Sequence, residues 1–216
     1  MSWWERKRHI RTLSPLEGYN LWAATYQQES NPIKDLSDRF IEKNLPDLHG
    51  KSVLDSGCGT GKFCGVATAQ FATKVVGLDL SPKMIETARK ENPSVEFLCA
   101  DLSSVSLSEN IFDVVVCALA LGHIEDLEPA LTTLSKSLKT DGVLVITDFH
   151  PFLTIQRSKR TFKDVASGKH FEVRHYLHLF QDYFAIFAQH DVIVEVLEEP
   201  RYNNTPVVFG IRARKK

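Results

Sequence analysis

Short apolar runs alternate along the chain with stretches whose apolar residues recur at helical spacing. Each run is rich in β-branched residues and is bounded by turn-forming or charged residues, which is typical of a buried strand. We predict seven such strands, over residues 53–55, 74–78, 95–99, 111–118, 143–147, 192–197 and 206–212. Helical patterns fill most of the intervals, and the clearest is a leucine stripe formed by Leu127, Leu131, Leu134 and Leu138.

The regular alternation of strands and helices predicts an α/β fold with a mostly parallel sheet and right-handed crossovers. The last two strands are separated by a short turn over residues 200–204, so we expect them to pair as antiparallel neighbours. A helix over residues 176–189 precedes them, and we predict that it buries Leu177, Phe180, Phe184 and Phe187 in the core. The predicted fold is therefore Rossmann-like: a seven-stranded sheet, antiparallel at its last strand, with helices on both faces.

A glycine-rich loop follows the first strand, where residues 53–61 read Val-Leu-Asp-Ser-Gly-Cys-Gly-Thr-Gly. Gly57, Gly59 and Gly61 permit backbone conformations that are closed to other residues, and they let a ligand approach the main chain. The helix that follows would direct its positive end at that ligand. The loop therefore predicts a ligand site.

The glycine spacing bears on which ligand this is. A dinucleotide site has the pattern G-x-G-x-x-G and binds a pyrophosphate, whereas here the third glycine comes one residue early. The carboxylate of Asp55 would repel a pyrophosphate, but it would attract the ammonium and sulfonium of S-adenosylmethionine. The loop therefore favours S-adenosylmethionine over NAD, and an NAD-binding oxidoreductase remains the less favoured alternative.

Carboxylates also end the next two strands. Asp79 closes the second strand, 22 residues after Gly57, where it can accept both ribose hydroxyls of an adenosine ligand. Ser81 and Pro82 then begin a helix as its N-cap and its first residue. Asp101 follows the third strand. Chance alone does not readily place three aspartates at three successive strand ends.

On these motifs, the chain resembles the class I S-adenosylmethionine-dependent methyltransferases over roughly residues 45–213, and in particular the small-molecule enzymes of ubiquinone and menaquinone biosynthesis. The resemblance implies that Asp101 faces the adenine amino group and that Leu102 packs on the ring. It also implies that a helix carrying Tyr19, Trp22 and Tyr26 lies over the cofactor. The predicted cofactor-binding residues are Trp22, Tyr26, Asp55, Gly57, Cys58, Gly59, Gly61, Asp79, Leu80, Met84, Asp101, Leu102 and Ala118.

Two segments lie outside this common core, and we expect them to determine specificity. Residues 1–46 are predicted to form an N-terminal helical cap, with helices over residues 16–28 and 31–43, on a methyltransferase domain of residues 47–216. Residues 149–175 are predicted to form a lid-like insertion, which contains a short strand near its end. The basic residues of the insertion favour an anionic acceptor, with a carboxylate or phosphate; they are Arg157, Lys159, Arg160, Lys163, Lys169 and Arg174.

Four of the eight histidines lie close together in the sequence, at His150, His170, His175 and His178. No acidic or cysteine partner stands at metal-ligand spacing, and the Asp…Asp-Asn pattern of catechol-type methyltransferases is missing, so we predict no metal. His150, after the fifth strand, and His123, after the fourth, are instead candidate general bases for an acceptor hydroxyl. An amine acceptor that arrives deprotonated would need no base, and this alternative stays open.

Composition narrows the class of acceptor. A net charge of −1 gives no general attraction to nucleic acid or membranes. The motifs of amino-methylating, cytosine-C5 and arginine methyltransferases are missing, and the short basic ends at residues 6–8 and 212–216 are typical of solvated termini. We therefore predict a small-molecule acceptor and no nucleic-acid partner, and the methylated atom, O, N or C, stays open.

The four cysteines show no C-x-x-C spacing, which favours reduced thiols and a cytoplasmic location. No stretch is apolar and long enough for membrane insertion, and the charged N-terminus lacks the apolar run of a signal peptide. An S-adenosylmethionine-binding protein without catalysis is a further alternative, because it would keep the same cofactor motifs.

Overall fold

The computed structural model describes residues 10–28 and 31–216, so the basic segment at residues 6–8 lies outside the described residues. The strands are β1 (Arg11–Leu13), β2 (Ser52–Ser56), β3 (Lys74–Asp79), β4 (Glu96–Cys99), β5 (Phe112–Ala118), β6 (Leu138–Phe149), β7 (Thr161–Lys163), β8 (His170–Val173), β9 (Val192–Glu198), β10 (Arg201–Tyr202), β11 (Thr205–Pro206) and β12 (Val208–Lys215). The helices are α1 (Pro15–Trp22), α2 (Pro32–Asn44), α3 (Lys62–Ala69), α4 (Pro82–Glu91), α5 (Leu127–Ser137), α6 (Pro151–Ile155) and α7 (Phe180–Gln189), with a 3₁₀ turn at Leu121–His123.

Seven strands form the central sheet, in the order β4-β3-β2-β5-β6-β12-β9. The strands run parallel except for β12, which pairs antiparallel with both β6 and β9. The Rossmann-like prediction is therefore confirmed, including the antiparallel last strand. β10 and β11 form the hairpin expected around residues 200–204, with Asn203 and Asn204 in the left-handed conformation that a tight hairpin favours.

Helices cover both faces of this sheet. On one face, α5 and α7 pack Leu131, Leu134 and Phe187 into the larger core cluster. On the other face, α2 and α3 bring Phe40 and Ala67 against the strands. Because helices cover both faces, a ligand can reach the sheet at the carboxyl ends of its parallel strands.

The late helix begins later than the sequence pattern predicts. α7 starts at Phe180 rather than at residue 176, because Asp182 accepts a hydrogen bond from the amide of Leu179 and so caps the helix there. Leu177 and Phe184, which were assigned to the buried stripe, are 46% and 37% exposed. Tyr183, Ile186 and Phe187 form the buried face instead.

The N-terminal helix is shorter than predicted. α1 is capped by Ser14 and ends at Trp22 rather than at residue 28, and residues 23–28 continue as turns. α2 begins at Pro32, with Asn31 as its N-cap, in agreement with the prediction. The side chains at positions 19, 22 and 26 still form one aromatic group, although they do not share one helix.

A second, three-stranded sheet joins the N-terminal segment to the insertion that follows β6. In it, β8 lies between β1, to which it is parallel, and β7, to which it is antiparallel. The sequence predicts only the strand corresponding to β8. Leu13, Trp22, Phe162 and Val173 form a separate apolar cluster under this sheet. The predicted cap and the predicted lid-like insertion are therefore packed together.

Within residues 10–28 and 31–216, no helix has the length and apolar character needed to cross a membrane.

Candidate cofactor and acceptor site

Two neighbouring cavities lie at the carboxyl ends of the central strands. Their volumes are about 500 Å³ and about 320 Å³, and both are lined by Tyr26, Gly57, Gly59, Ala118 and Leu119. The larger cavity also brings together the predicted cofactor residues Asp79, Leu80, Met84, Asp101 and Leu102, and the smaller one includes Asp55 and Cys58. The fold therefore brings most of the predicted site residues, which lie in separate segments of the chain, to the walls of these two cavities.

The glycine loop has the backbone conformation that the sequence pattern requires. Gly57, Gly59 and Gly61 have φ angles of 73°, 53° and 80°, in the left-handed region that favours glycine. A Cβ atom on Gly57 would also lie 2.5 Å from the Cβ of Ala120. The amide of Gly57 donates to the carbonyl oxygen of Leu78 at 2.7 Å, which fixes the loop against β3. Glycine at position 57 is thus required both by conformation and by space.

Asp55 is a buried carboxylate at the end of β2. Its side chain is almost inaccessible, and the thiol of Cys64 donates to Oδ2 at 3.3 Å. Burial raises the pKa of Asp55 to about 7, and the carboxylate of Asp79 contributes in the same direction. A positively charged ligand group beside Asp55 would favour its charged form and so lower this pKa.

Asp79 is held rigidly by the backbone around it. Oδ2 accepts the amide of Gly59 and Oδ1 accepts the amide of Ser81, each at 2.8 Å. Burial raises the pKa of Asp79, although these two hydrogen bonds oppose the effect. Because each carboxylate oxygen can accept more than one hydrogen bond, Asp79 retains capacity for two ligand hydroxyls.

The helix after Asp79 is tied to the N-terminal helix. The hydroxyl of Ser81 caps the amide of Met84 at 3.1 Å and donates to Oδ1 of Asn20 at 2.7 Å. Farther along the cavity, Oδ1 of Asp101 accepts the amide and the hydroxyl of Ser103, at 2.9 and 2.6 Å. Met84 and Leu102 supply apolar wall at this end.

His123 lies in the wall of the larger cavity in one defined tautomer. Nδ1 is 2.6 Å from the carbonyl oxygen of Arg174, which can only accept, so Nδ1 carries the proton. Nε2 is then the acceptor for the hydroxyl of Tyr19 at 2.9 Å. Burial, together with the positive charge of Arg160, holds the pKa of His123 well below its usual range. His123 is therefore a neutral imidazole whose basic nitrogen faces Tyr19.

The structure does not bring three predicted site residues to the cavity walls. Trp22 stacks on Phe162 with ring centroids 4.8 Å apart and supports the wall from behind. Gly61 lies at the N-cap of α3, where an added Cβ would meet Asn92. His150 lines neither cavity.

His150 has a structural role instead of the predicted place at the mouth of the sheet. Its Nδ1 accepts the amide of Phe152 at 3.1 Å and so caps α6, and its Nε2 is 2.9 Å from Oε1 of Glu199. Both ring nitrogens are therefore engaged. This geometry gives no support to the prediction that His150 is a general base. The sequence position of His150 alone could not show which way the chain turns after β6.

Arg160 is a residue at this site that sequence reasoning did not single out. Its side chain is only 10% exposed, and Nη2 donates to the carbonyl oxygen of Leu119 at 3.0 Å. Nη1 is buried, and the described residues provide no hydrogen-bond partner for it. Such an unpaired N–H of a charged group destabilises a fold by about 1–3 kcal/mol or more. In the sequence, Arg160 is one of six similar basic residues, and nothing there marks it as the buried one.

Among the residues that the structure describes, no three histidine, cysteine, aspartate or glutamate side chains come together in a way that could hold a metal ion. The ring of half-buried His175 packs against Phe149, Nε2 of His150 contacts Glu199, and His170 is exposed on β8.

Residues 54–146 match the protein family described as Methyltransferase domain. An uncharacterized protein of Haemophilus influenzae is 33% identical over 150 residues, which cover 61% of this chain and 57% of that protein. The ubiquinone biosynthesis O-methyltransferase of a Bradyrhizobium species is 27% identical over 180 residues, 80% of this chain and 64% of that enzyme. The chain thus spans less than two thirds of the length of these relatives.

The fold has close counterparts among solved structures. A putative S-adenosylmethionine-dependent methyltransferase from Listeria monocytogenes superimposes with a TM-score of 0.73 at 22% identity, over 85% of this chain and 99% of that one. At this identity the likeness concerns the fold. Residues 54–146, from β2 to β6, thus match a methyltransferase domain, and the chain has the fold of this S-adenosylmethionine-dependent methyltransferase.

Proposed function

We propose that the protein transfers the methyl group of S-adenosylmethionine to a small-molecule acceptor. The observation that carries this proposal is the set of three carboxylates, Asp55, Asp79 and Asp101, which lie at or just beyond the carboxyl ends of the neighbouring strands β2, β3 and β4 beside the glycine loop. A pyrophosphate would meet repulsion there, whereas an amino-acid ammonium, a ribose and an adenine each find a suitable acceptor.

The residues present fit this cofactor. Asp55 would pair with the ammonium, and the left-handed glycine loop would let the amino-acid part lie against the backbone. Asp79 would accept the ribose hydroxyls with its remaining lone pairs. Asp101 would accept the adenine amino group, while Leu102 packs on the ring.

When bound, S-adenosylmethionine supplies a methyl group that its sulfonium has already activated. The protein then has to align the acceptor and exclude water, which Tyr19, Tyr26 and the small sheet behind them do by closing one side of the cavity. The acceptor atom gains the methyl group as the carbon–sulfur bond breaks, and the electron pair of that bond remains on sulfur.

A hydroxyl acceptor must also lose a proton. Tyr19 lines the cavity, and its own proton already points at Nε2 of His123. The acceptor proton would pass to the Tyr19 oxygen while the Tyr19 proton moves to His123. The carbonyl oxygen of Arg174 would stabilise the imidazolium through Nδ1. His123 is thus the base, and Tyr19 is the group through which it acts.

The size and charge of the cavity support a small acceptor rather than a nucleic acid. The larger cavity is about 500 Å³, within the range typical of small-molecule sites. Its wall includes Glu125 and Asp126, whose charges disfavour a polyphosphate backbone. We further propose that the acceptor is anionic, because the buried guanidinium of Arg160 contacts the wall of this cavity.

We also propose residues 1–46 as a cap on a methyltransferase domain of residues 47–216, in which residues 149–175 are a lid-like insertion. Pairing of β1 with β8 and packing of Trp22 on Phe162 support a joint role for cap and insertion. The free state of all four cysteines supports a cytoplasmic location.

Release of S-adenosylhomocysteine from a panel of hydroxylated, carboxylated and amine metabolites tests the proposed activity. We expect turnover with members of one chemical class. Binding of S-adenosylmethionine with no methylation of any of these classes would favour the non-catalytic alternative.

A further inference from the structure

Arg160 differs from the other basic residues of the insertion. Arg157, Lys159, Lys163, Lys169 and Arg174 are all exposed, whereas nine tenths of the Arg160 side chain is buried. A guanidinium remains charged in a protein, so its burial needs compensation by acceptors or by opposite charge. For Arg160, the nearby acceptors are the carbonyl oxygen of Leu119 and the carboxylate of Asp148.

The nearest opposite charge is only loosely paired with Arg160. Nη1 lies 3.8 Å from Oδ1 of Asp148, which is beyond hydrogen-bond distance. Asp148 also accepts two backbone amides, since Oδ2 accepts the amide of Gly122 and Oδ1 accepts the amide of Phe149, each at 2.6 Å. Nη1 is therefore buried without a hydrogen-bond partner among the described residues.

Arg160 lines neither cavity, but it contacts the wall of the larger one. Its Nη2 is bonded to Leu119, and its charge acts on the hydroxyls of Tyr19 and Tyr26; these three residues line the larger cavity. In the described part of the chain, that wall contains no lysine or arginine. Arg160 is thus a buried cation next to a neutral or acidic wall, whereas Lys34, which contacts Tyr26, lines the smaller cavity.

Arg160 is also distant from the proposed adenine position. Asp101 follows β4 at the edge of the sheet, whereas Leu119 follows β5, three strands away in the order β4-β3-β2-β5. At the usual spacing between strands, this separation is about 14 Å. Arg160 therefore lies toward the end of the cavity that the nucleoside would not occupy.

A second unpartnered nitrogen lies in the same neighbourhood. Nε2 of His175 is buried without a hydrogen-bond partner among the described residues. The His175 ring lies 5.6 Å from the ring of Phe149, and the guanidinium of Arg160 lies 5.9 Å from that ring. Two buried nitrogens, Nη1 of Arg160 and Nε2 of His175, thus lack partners among the described residues near one aromatic ring.

We propose that Arg160 is the anion receptor of the acceptor site and that Nη1 donates to an oxyanion of the acceptor, a carboxylate, phosphate or phosphonate. The proposal rests on the proposed methyltransferase function and specifies its substrate class. A guanidinium suits this role because its fixed, planar donors match the geometry of such oxyanions. The carboxylate of the cofactor is the other source of the same chemistry, and the experiment must separate the two.

The experiment uses matched pairs of probes that differ only in charge, such as benzoate with benzamide and 4-hydroxybenzoate with its amide. Each is added to the full chain saturated with S-adenosylhomocysteine, and the shift in thermal midpoint and the release of product from S-adenosylmethionine are measured. The variants are Arg160→Met, Arg160→Lys, which keeps the charge, and Lys163→Met, an exposed control nearby.

We expect acids to stabilise the wild-type complex more than their amides, and any turnover to favour acids by at least tenfold. Arg160→Met should abolish both preferences, Arg160→Lys should retain part of them, and Lys163→Met should match the wild type. Affinity for S-adenosylhomocysteine should stay within twofold in Arg160→Met. If Arg160→Met does not fold, Arg160→Lys provides the test: a reduced preference for acids supports the proposal, and an unchanged preference contradicts it.

Equal shifts for every acid and amide in the wild type, or an acid preference that survives in Arg160→Met, would overturn the proposal. Loss of affinity for S-adenosylhomocysteine in Arg160→Met, with no loss for the decarboxylated analogue, would assign Arg160 to the cofactor carboxylate instead. Absence of any cofactor binding by the wild type would refute the methyltransferase function itself, which is a distinguishable result.

Discussion

Replacing Asp55 with asparagine should stabilise the ligand-free protein while weakening its binding of S-adenosylmethionine. Burial raises the pKa of Asp55 to about 7 in the folded protein, with a further contribution from Asp79. In an unfolded chain the pKa of aspartate is about 3.9, and one pKa unit corresponds to about 1.4 kcal/mol. The charged carboxylate therefore destabilises the fold by up to about 4 kcal/mol.

The sign of the effect depends on pH. Between about pH 4 and pH 7, the folded protein holds a proton on Asp55 that the unfolded chain has lost, so stability falls as the pH rises. The full destabilisation is present above pH 7, and none is present below about pH 4. Asp55→Asn should thus raise the free energy of unfolding by up to about 4 kcal/mol at pH 8 and leave it nearly unchanged at pH 4.

Urea denaturation of both proteins at pH 4, 6 and 8 measures this difference. Asp113→Asn is the matched control. Burial raises the pKa of Asp113, but hydrogen bonds from Ser52 and Lys139 outweigh burial and hold this pKa at about 2. Replacing the Asp113 carboxylate should therefore lower the free energy of unfolding at pH 8. A gain for Asp55→Asn of equal size at pH 4 and pH 8 would indicate repacking and would refute the electrostatic reasoning. At pH 8 the same variant should bind S-adenosylmethionine at least about tenfold more weakly.

Three further outcomes are expected. Burial and Arg160 hold the pKa of His123 well below its usual range, so turnover of a hydroxyl acceptor should not rise with pH near pH 6.5. His123→Asn and Tyr19→Phe should each reduce this turnover by about 10²-fold or more. Full activity of both variants would exclude His123 as the base. Gly57→Ala should destabilise the protein more than Gly50→Ala in urea denaturation, because both have positive φ but only position 57 adds a clash; equal losses would contradict this. Saturating cofactor should slow tryptic cleavage within residues 149–175, and unchanged cleavage would remove support for a lid.

The sheet, and the grouping of the strand-end aspartates beside the glycine loop, could be predicted because their signals are local. Each strand is a short apolar run, and Asp55, Asp79 and Asp101 stand at strand ends that parallel topology must bring to one edge. The glycine loop could be recognised because positive φ at three closely spaced positions favours glycine. These features depend on few distant contacts.

The acceptor end depends on distant contacts that the pattern does not encode. β1 pairs with β8 across about three quarters of the chain, and neither strand is long enough for a clear alternation. The late start of α7, where Asp182 caps the helix, is supported by the segment before it, because the amide of Tyr176 and the ring of His178 donate to the carbonyl oxygens of Gly122 and Ile124. The burial of Arg160 follows from this packing, so it could not be predicted from sequence.

Calorimetric titration of the full chain with S-adenosylmethionine and, separately, with NAD tests the central claim most directly. We predict saturable binding of S-adenosylmethionine and none of NAD, and a loss of about tenfold or more in affinity in Asp79→Ala, the scale expected for hydrogen bonds to a charged group. Tight binding of NAD together with no binding of S-adenosylmethionine would contradict the account.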